Sequence, residues 1–146
     1  MTSPVLWKLD ELKEGQILPE KKQVISEAVY RGFLDCFQDH SPIHVDAGFA
    51  QVHGFRDKVM HGKILDGFIS HYVGMIFPGD QGFLLSTDIR YNQPCYLEDE
   101  IRMECRISQV SLSTQMVVLM FVIHNQTQGQ IAARAKVQVK MLTEAS

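Results

Sequence analysis

The stretch HGKILDGFISHYVGMIFPGD, His61 to Asp80, decides the fold. Ile64, Leu65, Phe68, Ile69, Tyr72, Val73 and Ile76 recur at steps of one, three and four, so the spacing predicts a helix with a broad apolar face. Phe77-Pro78-Gly79-Asp80 should end it, because proline cannot continue a helix and glycine suits the exit. Gly67 and Gly74 lie inside, each costing about 1 kcal/mol against alanine. Their missing side chains are expected to permit close packing against a sheet or a partner.

Downstream of Asp80 the period changes from 3.6 to 2. Phe83 to Tyr91 reads as a strand stopped by Asn92-Gln93-Pro94. Ile101 to Val110, Gln115 to Asn125 and Gln130 to Met141 are β-rich and alternate in large part, with turn chemistry at Asn125 to Gly129. An antiparallel meander of three or four strands follows, and its apolar face needs a cover. The one long apolar helix supplies it. The expected architecture is α+β, a curved antiparallel sheet wrapped around one helix, with an exposed edge that pairing of two subunits would remove.

Upstream, Lys22 to Ser26 reads as the start of a strand. Ser26 before Glu27 reads as the cap of a helix to about Cys36, with Val29, Phe33 and Phe37 on one stripe. Residues 1–15 form a polar lead-in, and Trp7 and Leu9 are expected to pack it over the sheet. From Ser41 to Met60 the chain reads as irregular, apart from a short helix at Ala47 to Gln51. A loop of that length in a small domain is commonly a binding or active-site cover.

The chain's 146 residues suit one domain, 1–146, with a core large enough to need neither metal nor disulfide. Fourteen basic against 17 acidic residues, a formal charge of -3, give no support for a nucleic-acid surface. Cys36, Cys95 and Cys105 offer no disulfide framework. The longest apolar run, Met116 to Ile123, is far too short to span a bilayer, and the N-terminus lacks a signal-peptide pattern. A cytoplasmic protein without a membrane partner is the expectation.

Chemistry concentrates in DHSPIH, Asp39 to His44. Pro42 limits its own φ and biases Ser41 away from the helical region, so the segment reads as a stiffened turn after the first helix. At neutral pH Asp39 is an acceptor and His44 can take or give a proton. If both face one cleft they can hold a water between them, His44 removing its proton while Asp39 orients it or moves the second proton. The same residue types also fit a turn cap and a packed imidazole. Gly62, read as the first residue of the apolar helix, would expose an N–H at the positive end of the dipole, able to hold a carbonyl oxygen that gains charge. It would equally ease a tight entry into the helix. Together the three residues describe a donor that polarises a carbonyl and a base-activated water that adds to the conjugated double bond. The reverse direction is dehydration. Five of the six histidines, His44, His53, His61, His71 and His124, invite a metal reading but lack metal-ligand spacing, so no metal site is expected.

The segment FQDHSPIHVDAGFAQVHGFRDKVMHG, Phe37 to Gly62, resembles the signature of the MaoC-like (R)-specific enoyl-CoA hydratases and 3-hydroxyacyl thioester dehydratases. The likeness continues through Phe77-Pro78-Gly79 and Tyr91-Asn92-Gln93-Pro94, covering about Phe33 to Glu100. It implies the hot-dog fold and a homodimer. It places the catalytic acid on Asp39, the catalytic histidine on His44, the thioester-binding amide on Gly62 and a further polar residue on Ser70, with Ser41 and His61 in support. Substrates would be trans-2-enoyl thioesters of coenzyme A or acyl carrier protein, with no separate cofactor, giving (R)-3-hydroxyacyl products. Gln38 stands where the family usually has Gly or Ser, and Ser41 where Asn is common. Arg56, Lys58, Lys63 and Arg90 are candidates for the phosphates of coenzyme A, or a solvated face; Phe49, Phe55 and Phe68 are candidates for the acyl slot. The same scaffold also suits a non-catalytic acyl-thioester module or a thioesterase.

Overall fold

The predicted apolar helix is α4, Lys63–Met75, in the computed structural model, which describes residues 5–142. Residues 1–4 of the lead-in, and 143–146, lie outside the described residues. Around α4 stand five antiparallel strands: β1 (Lys21–Val24), β2 (Gly82–Tyr91), β3 (Glu100–Ser111), β4 (Met116–Asn125) and β5 (Gln130–Met141). Their order is β1-β3-β4-β5-β2. The last three form the expected meander. The sheet is wider than the predicted three or four strands because each flanking strand pairs with a distant segment: β1 with β3, and β2 with β5.

Alternation explains which face turns inward. In β3, Ile101, Met103, Cys105 and Ile107 are buried, with Arg102, Glu104 and Arg106 between them on the other face. Register carries the pattern across: Cys105 faces Phe121, which faces Ala135. Ala133 and Ala135 keep β5 low beneath the helix, while Phe121 meets Tyr72 of α4 edge-on at 5.1 Å. The Tyr72 hydroxyl donates to the Pro19 carbonyl at 2.6 Å, so this buried ring leaves no polar atom unpaired. Ile64, Leu65, Phe68, Ile69, Tyr72 and Val73 are buried as the spacing predicted, with Ile76 half-buried.

Gly67 and Gly74 depart from expectation. A side chain at either would meet nothing within 4 Å, so they sit on the open side of α4 and no packing within the chain requires them. Gly82 is the glycine the packing demands: a Cβ there would lie 2.5 Å from both the Lys140 carbonyl oxygen and Pro78. Trp7 packs on the end of α4 and not over the sheet, its ring against Phe77 and its indole N–H on the Ile76 carbonyl. Among the described residues no helix is long and apolar enough to cross a membrane.

Before α4 come α1 (Glu27–Phe37), α2 (Pro42–Val45) and α3 (Ala47–Val52). Ser26 caps α1 through the Val29 N–H, as predicted. α3 is the short helix expected at Ala47 to Gln51, one residue longer, while α2 was not expected in the segment read as irregular. Pro42 opens α2 at its first turn, where proline's missing N–H costs nothing, and the Asp46 side chain caps α3. Four-residue helices show no periodicity to read.

Asp99, buried at 2% exposure, ties the approach to β3 to the β4–β5 turn by accepting from the Tyr96 N–H and the Asn125 and Gln128 side-chain amides. Asp99→Ala leaves those donors without their acceptor and should lower unfolding free energy by about 1–3 kcal/mol, read from the midpoint of chemical denaturation.

Candidate active site

The chain leaves α1 through Gln38, whose φ of 58° is left-handed and whose N–H closes on the Leu34 carbonyl. This is a helix C-terminal position that glycine adopts most easily, which gives a backbone reason for a small residue there. Gln38 holds the conformation with a side-chain bond to the Asp35 carbonyl at 2.7 Å. The reversal delivers Asp39 beside α4's N-terminus.

Ser41 binds the Asp39 carboxylate twice, through its hydroxyl at 2.6 Å and its N–H at 3.1 Å. Both bonds favour the ionised form, so they hold Asp39 below the usual carboxylate range, the hydroxyl contributing most and desolvation opposing. At neutral pH Asp39 is an acceptor, as an ordinary aspartate would be.

His44 stands on α2, its ring oriented from two sides. Its Nδ1–H donates to the Val59 carbonyl at 2.7 Å, and because a carbonyl only accepts, Nδ1 must carry the proton. The neutral ring's lone pair is then on Nε2, 4.0 Å from Asp39 Oδ2. That gap is too wide for a direct hydrogen bond. It matches what one water needs to sit about 2.8 Å from each atom. The His44 carbonyl accepts from the Tyr30 hydroxyl at 2.7 Å, which pins the backbone.

His61 is 3% exposed and acts through packing and a backbone contact. Its ring stacks on His44 at 4.1 Å, lies 4.6 Å from Phe33, and its Nε2–H donates to the Asp39 carbonyl at 2.9 Å. One imidazole thus fixes both halves of the pair. Asp39, His44 and His61 each place a donor atom within 4.8 Å of the others, a spacing a cation could bridge. The stacked rings, inclined at only 28°, hold their in-plane lone pairs in separate planes, which suits packing better than chelation.

Gly62 is the residue before α4 rather than its first, with φ -58° and ψ -33°. Among the described residues its N–H meets no acceptor, as a group at a helix start should. It lines one cavity of about 440 Å³ with Asp39, His44, His61, Phe55 and Tyr91. Asp39 and His44, five residues apart, thus share one cavity with the more distant Gly62.

Other candidates fall elsewhere. Ser70 is exposed on α4 in an open groove between α1 and α4 that shares Phe33, Asp39 and Lys63 with the cavity, though Ser70 itself is not a wall of the cavity. Of the phenylalanines, Phe55 lines the cavity, Phe68 is core and groove wall, and Phe49 stacks on His53. Lys63 lines the cavity with its ammonium 3.4 Å from Asp66. Arg56 lies over the Tyr96 ring at 4.3 Å and Lys58 over Tyr30 at 4.6 Å. Arg90 is exposed beside Arg134 on the opposite face of β2 from Ile89 and Tyr91, outside the cavity. Tyr30, the Val59 carbonyl and Tyr91 escaped the sequence reading. A tyrosine on a buried helical stripe does signal a hydroxyl that needs a partner, but not which one.

Ser41→Ala should raise the Asp39 carboxyl pKa toward the ordinary value of about 3.9. An NMR titration of that carboxyl reads the shift directly, and an unchanged value would remove Ser41 as its cause. The linkage has a definite sign: stability from the depressed pKa is fully present above the unfolded-state value and lost as pH falls through the folded one.

The sequence matches the family described as MaoC like domain over residues 10–128. An (R)-specific enoyl-CoA hydratase of Rhodospirillum rubrum is 27% identical over 97 residues, covering 66% of this chain and 67% of that protein. A mitochondrial 3-hydroxyacyl-acyl-carrier-protein dehydratase of Arabidopsis thaliana is 28% identical over 62% of this chain, which spans 52% of that longer protein. In three dimensions the unliganded (R)-hydratase of Pseudomonas aeruginosa superposes with a TM-score of 0.81 at 24% identity, over 93% of this chain and 86% of that one. That likeness establishes the hot-dog arrangement of sheet and helix. With the family matched across most of its length, the chain belongs to the MaoC-like domain family.

Proposed function

We propose that this protein adds water to trans-2-enoyl thioesters, giving (R)-3-hydroxyacyl thioesters, or runs the same step in reverse. The observation that carries the reading is the convergence of Asp39, His44 and the unpartnered Gly62 N–H on one cavity. Relatives named as hydratase and as dehydratase agree with it. The thioester oxygen accepts from the Gly62 N–H, which draws electrons from the double bond and leaves C3 electrophilic. A water held by Asp39 Oδ2 gives its proton to His44 Nε2 as its oxygen bonds to C3. The π electrons pass to the thioester as an enolate, whose negative oxygen the amide holds. The His44 imidazolium then protonates C2, and the enolate collapses to product. Asp39, an ionised carboxylate held in place by its two bonds from Ser41, orients the water and balances the imidazolium. The carrier is coenzyme A or acyl carrier protein. Arg56 and Lys58, between the cavity-lining Phe55 and Val59, would meet its phosphates together with Lys63.

Loss of enone absorbance from crotonyl-CoA and longer 2-enoyl-CoAs measures the reaction. Asp39→Asn and His44→Ala should each lower kcat/KM by roughly 10²–10⁴-fold with the circular dichroism unchanged. Release of free thiol without hydration would instead mark a thioesterase, and tight acyl-CoA binding without turnover a binding module.

We also propose that two copies pair through β2. This edge strand runs Gly82–Tyr91 with Phe83, Leu84 and Leu85 exposed, an unprotected apolar edge that pairing would cover. Sedimentation velocity should find a dimer that Leu85→Lys converts to monomer. A monomeric wild type would refute the pairing.

A further inference from the structure

Tyr91, the last residue of β2, reaches back over the start of α4. A Cβ built on Gly62 would lie 3.0 to 3.3 Å from three atoms of the Tyr91 ring, so ring and glycine occupy mutually dependent space. The ring's direction is set at its far end. Its hydroxyl donates to Asp66 Oδ1 on the first turn of α4, and Asp66 Oδ2 lies 3.4 Å from the Lys63 ammonium. Burial and the bond to Asp66 both hold the phenol protonated, hence a permanent donor to that carboxylate. The residue is 45% exposed at a strand end, where packing alone would leave the ring free to swing. Asp66 removes that freedom. The pinned ring lines the same cavity as Asp39, His44 and Gly62.

From this geometry we infer that Tyr91, latched by Asp66, sets the width of the site beside the thioester carbonyl and restricts the enzyme to 2-enoyl thioesters unbranched at C2. The inference rests on the function proposed above. A carbonyl oxygen bonded to the Gly62 N–H must approach to about 2.9 Å, which brings C1 and C2 within van der Waals reach of a ring that already borders the space beside the Gly62 Cα. Asp39 and His44 must face C3 and C2 for the chemistry, so the chain cannot shift away from the ring without leaving them. A methyl on C2 therefore competes with the ring for space. Neither Tyr91 nor Asp66 takes part in proton transfer: Tyr91 touches substrate, and Asp66 acts through Tyr91.

The test compares hydration of crotonyl-CoA with that of 2-methylcrotonyl-CoA. One methyl group in an apolar contact is worth about 10- to 200-fold in kcat/KM. Wild type should disfavour the branched substrate by a factor in that range. In Tyr91→Ala the ratio of branched to unbranched kcat/KM should rise at least about tenfold. Tyr91→Phe and Asp66→Ala keep the ring but free it, and should give smaller rises that agree with each other. Should Tyr91→Ala fail to fold, these two variants decide the matter. A uniform fall on both substrates, with the ratio unchanged in all three, would make the contact merely structural and overturn the inference. Wild type that hydrates crotonyl-CoA with no such ratio change refutes only this inference. Wild type that hydrates no enoyl thioester refutes the function itself.

Discussion

Enclosure of α4 by the sheet is the constraint on which everything else depends. The helix offers Ile64, Leu65, Phe68, Ile69, Tyr72 and Val73 to a single concave face, and among the described residues no other helix buries as many apolar side chains. Once the helix is seated, its axis is set, and with it the place where its first N–H groups emerge. A helix start is electropositive and short of acceptors wherever it lies. Here it opens onto a cavity, where that shortage becomes available for chemistry.

Around that opening, the chain assigns acid and base roles through neighbours rather than through residue type. Ser41 binds the Asp39 carboxylate and lowers its pKa further, while the Val59 carbonyl keeps the proton of neutral His44 on Nδ1 and leaves Nε2 free. His61 joins the two by stacking on one and bonding the backbone of the other. Its buried Nδ1 has no partner among the described residues, so the ring's place is held by stacking and by one hydrogen bond. Tyr30 secures the His44 backbone from beneath and lies in turn under the Lys58 ammonium. Each contact is ordinary in strength. Their value is that they converge, so that neither member of the pair can turn without disturbing the other.

The edge strand connects this cavity to the sheet. β2 ends at Tyr91, whose ring rests on Gly62 and whose hydroxyl is bonded to α4. The strand that leaves the sheet open on one side thus also supplies a wall of the cavity. The outward face of β2 places Arg90 directly opposite Arg134, away from the cavity, because side chains alternate along a strand.

The sequence alone determined what local periodicity and local chemistry determine. The seven-residue apolar stripe of α4, the Ser26 cap and the alternation of β3, β4 and β5 could all be read because each is a pattern confined to one element. So could the concentration of reactive groups between Asp39 and Gly62. What it could not show was which backbone atoms face which side chains. The four-residue helix α2 carries no periodic signal, and the Val59 carbonyl that orients His44 has no mark in the sequence at all. Ser70 and Arg90 stand outside the cavity, since helix rotation and strand pleat decide direction. Tyr91 looked like the end of a strand. Only the tertiary structure, by folding residues 91 and 62 together against the start of α4, made it part of the cavity, because contacts between residues far apart in sequence are set by how elements pack.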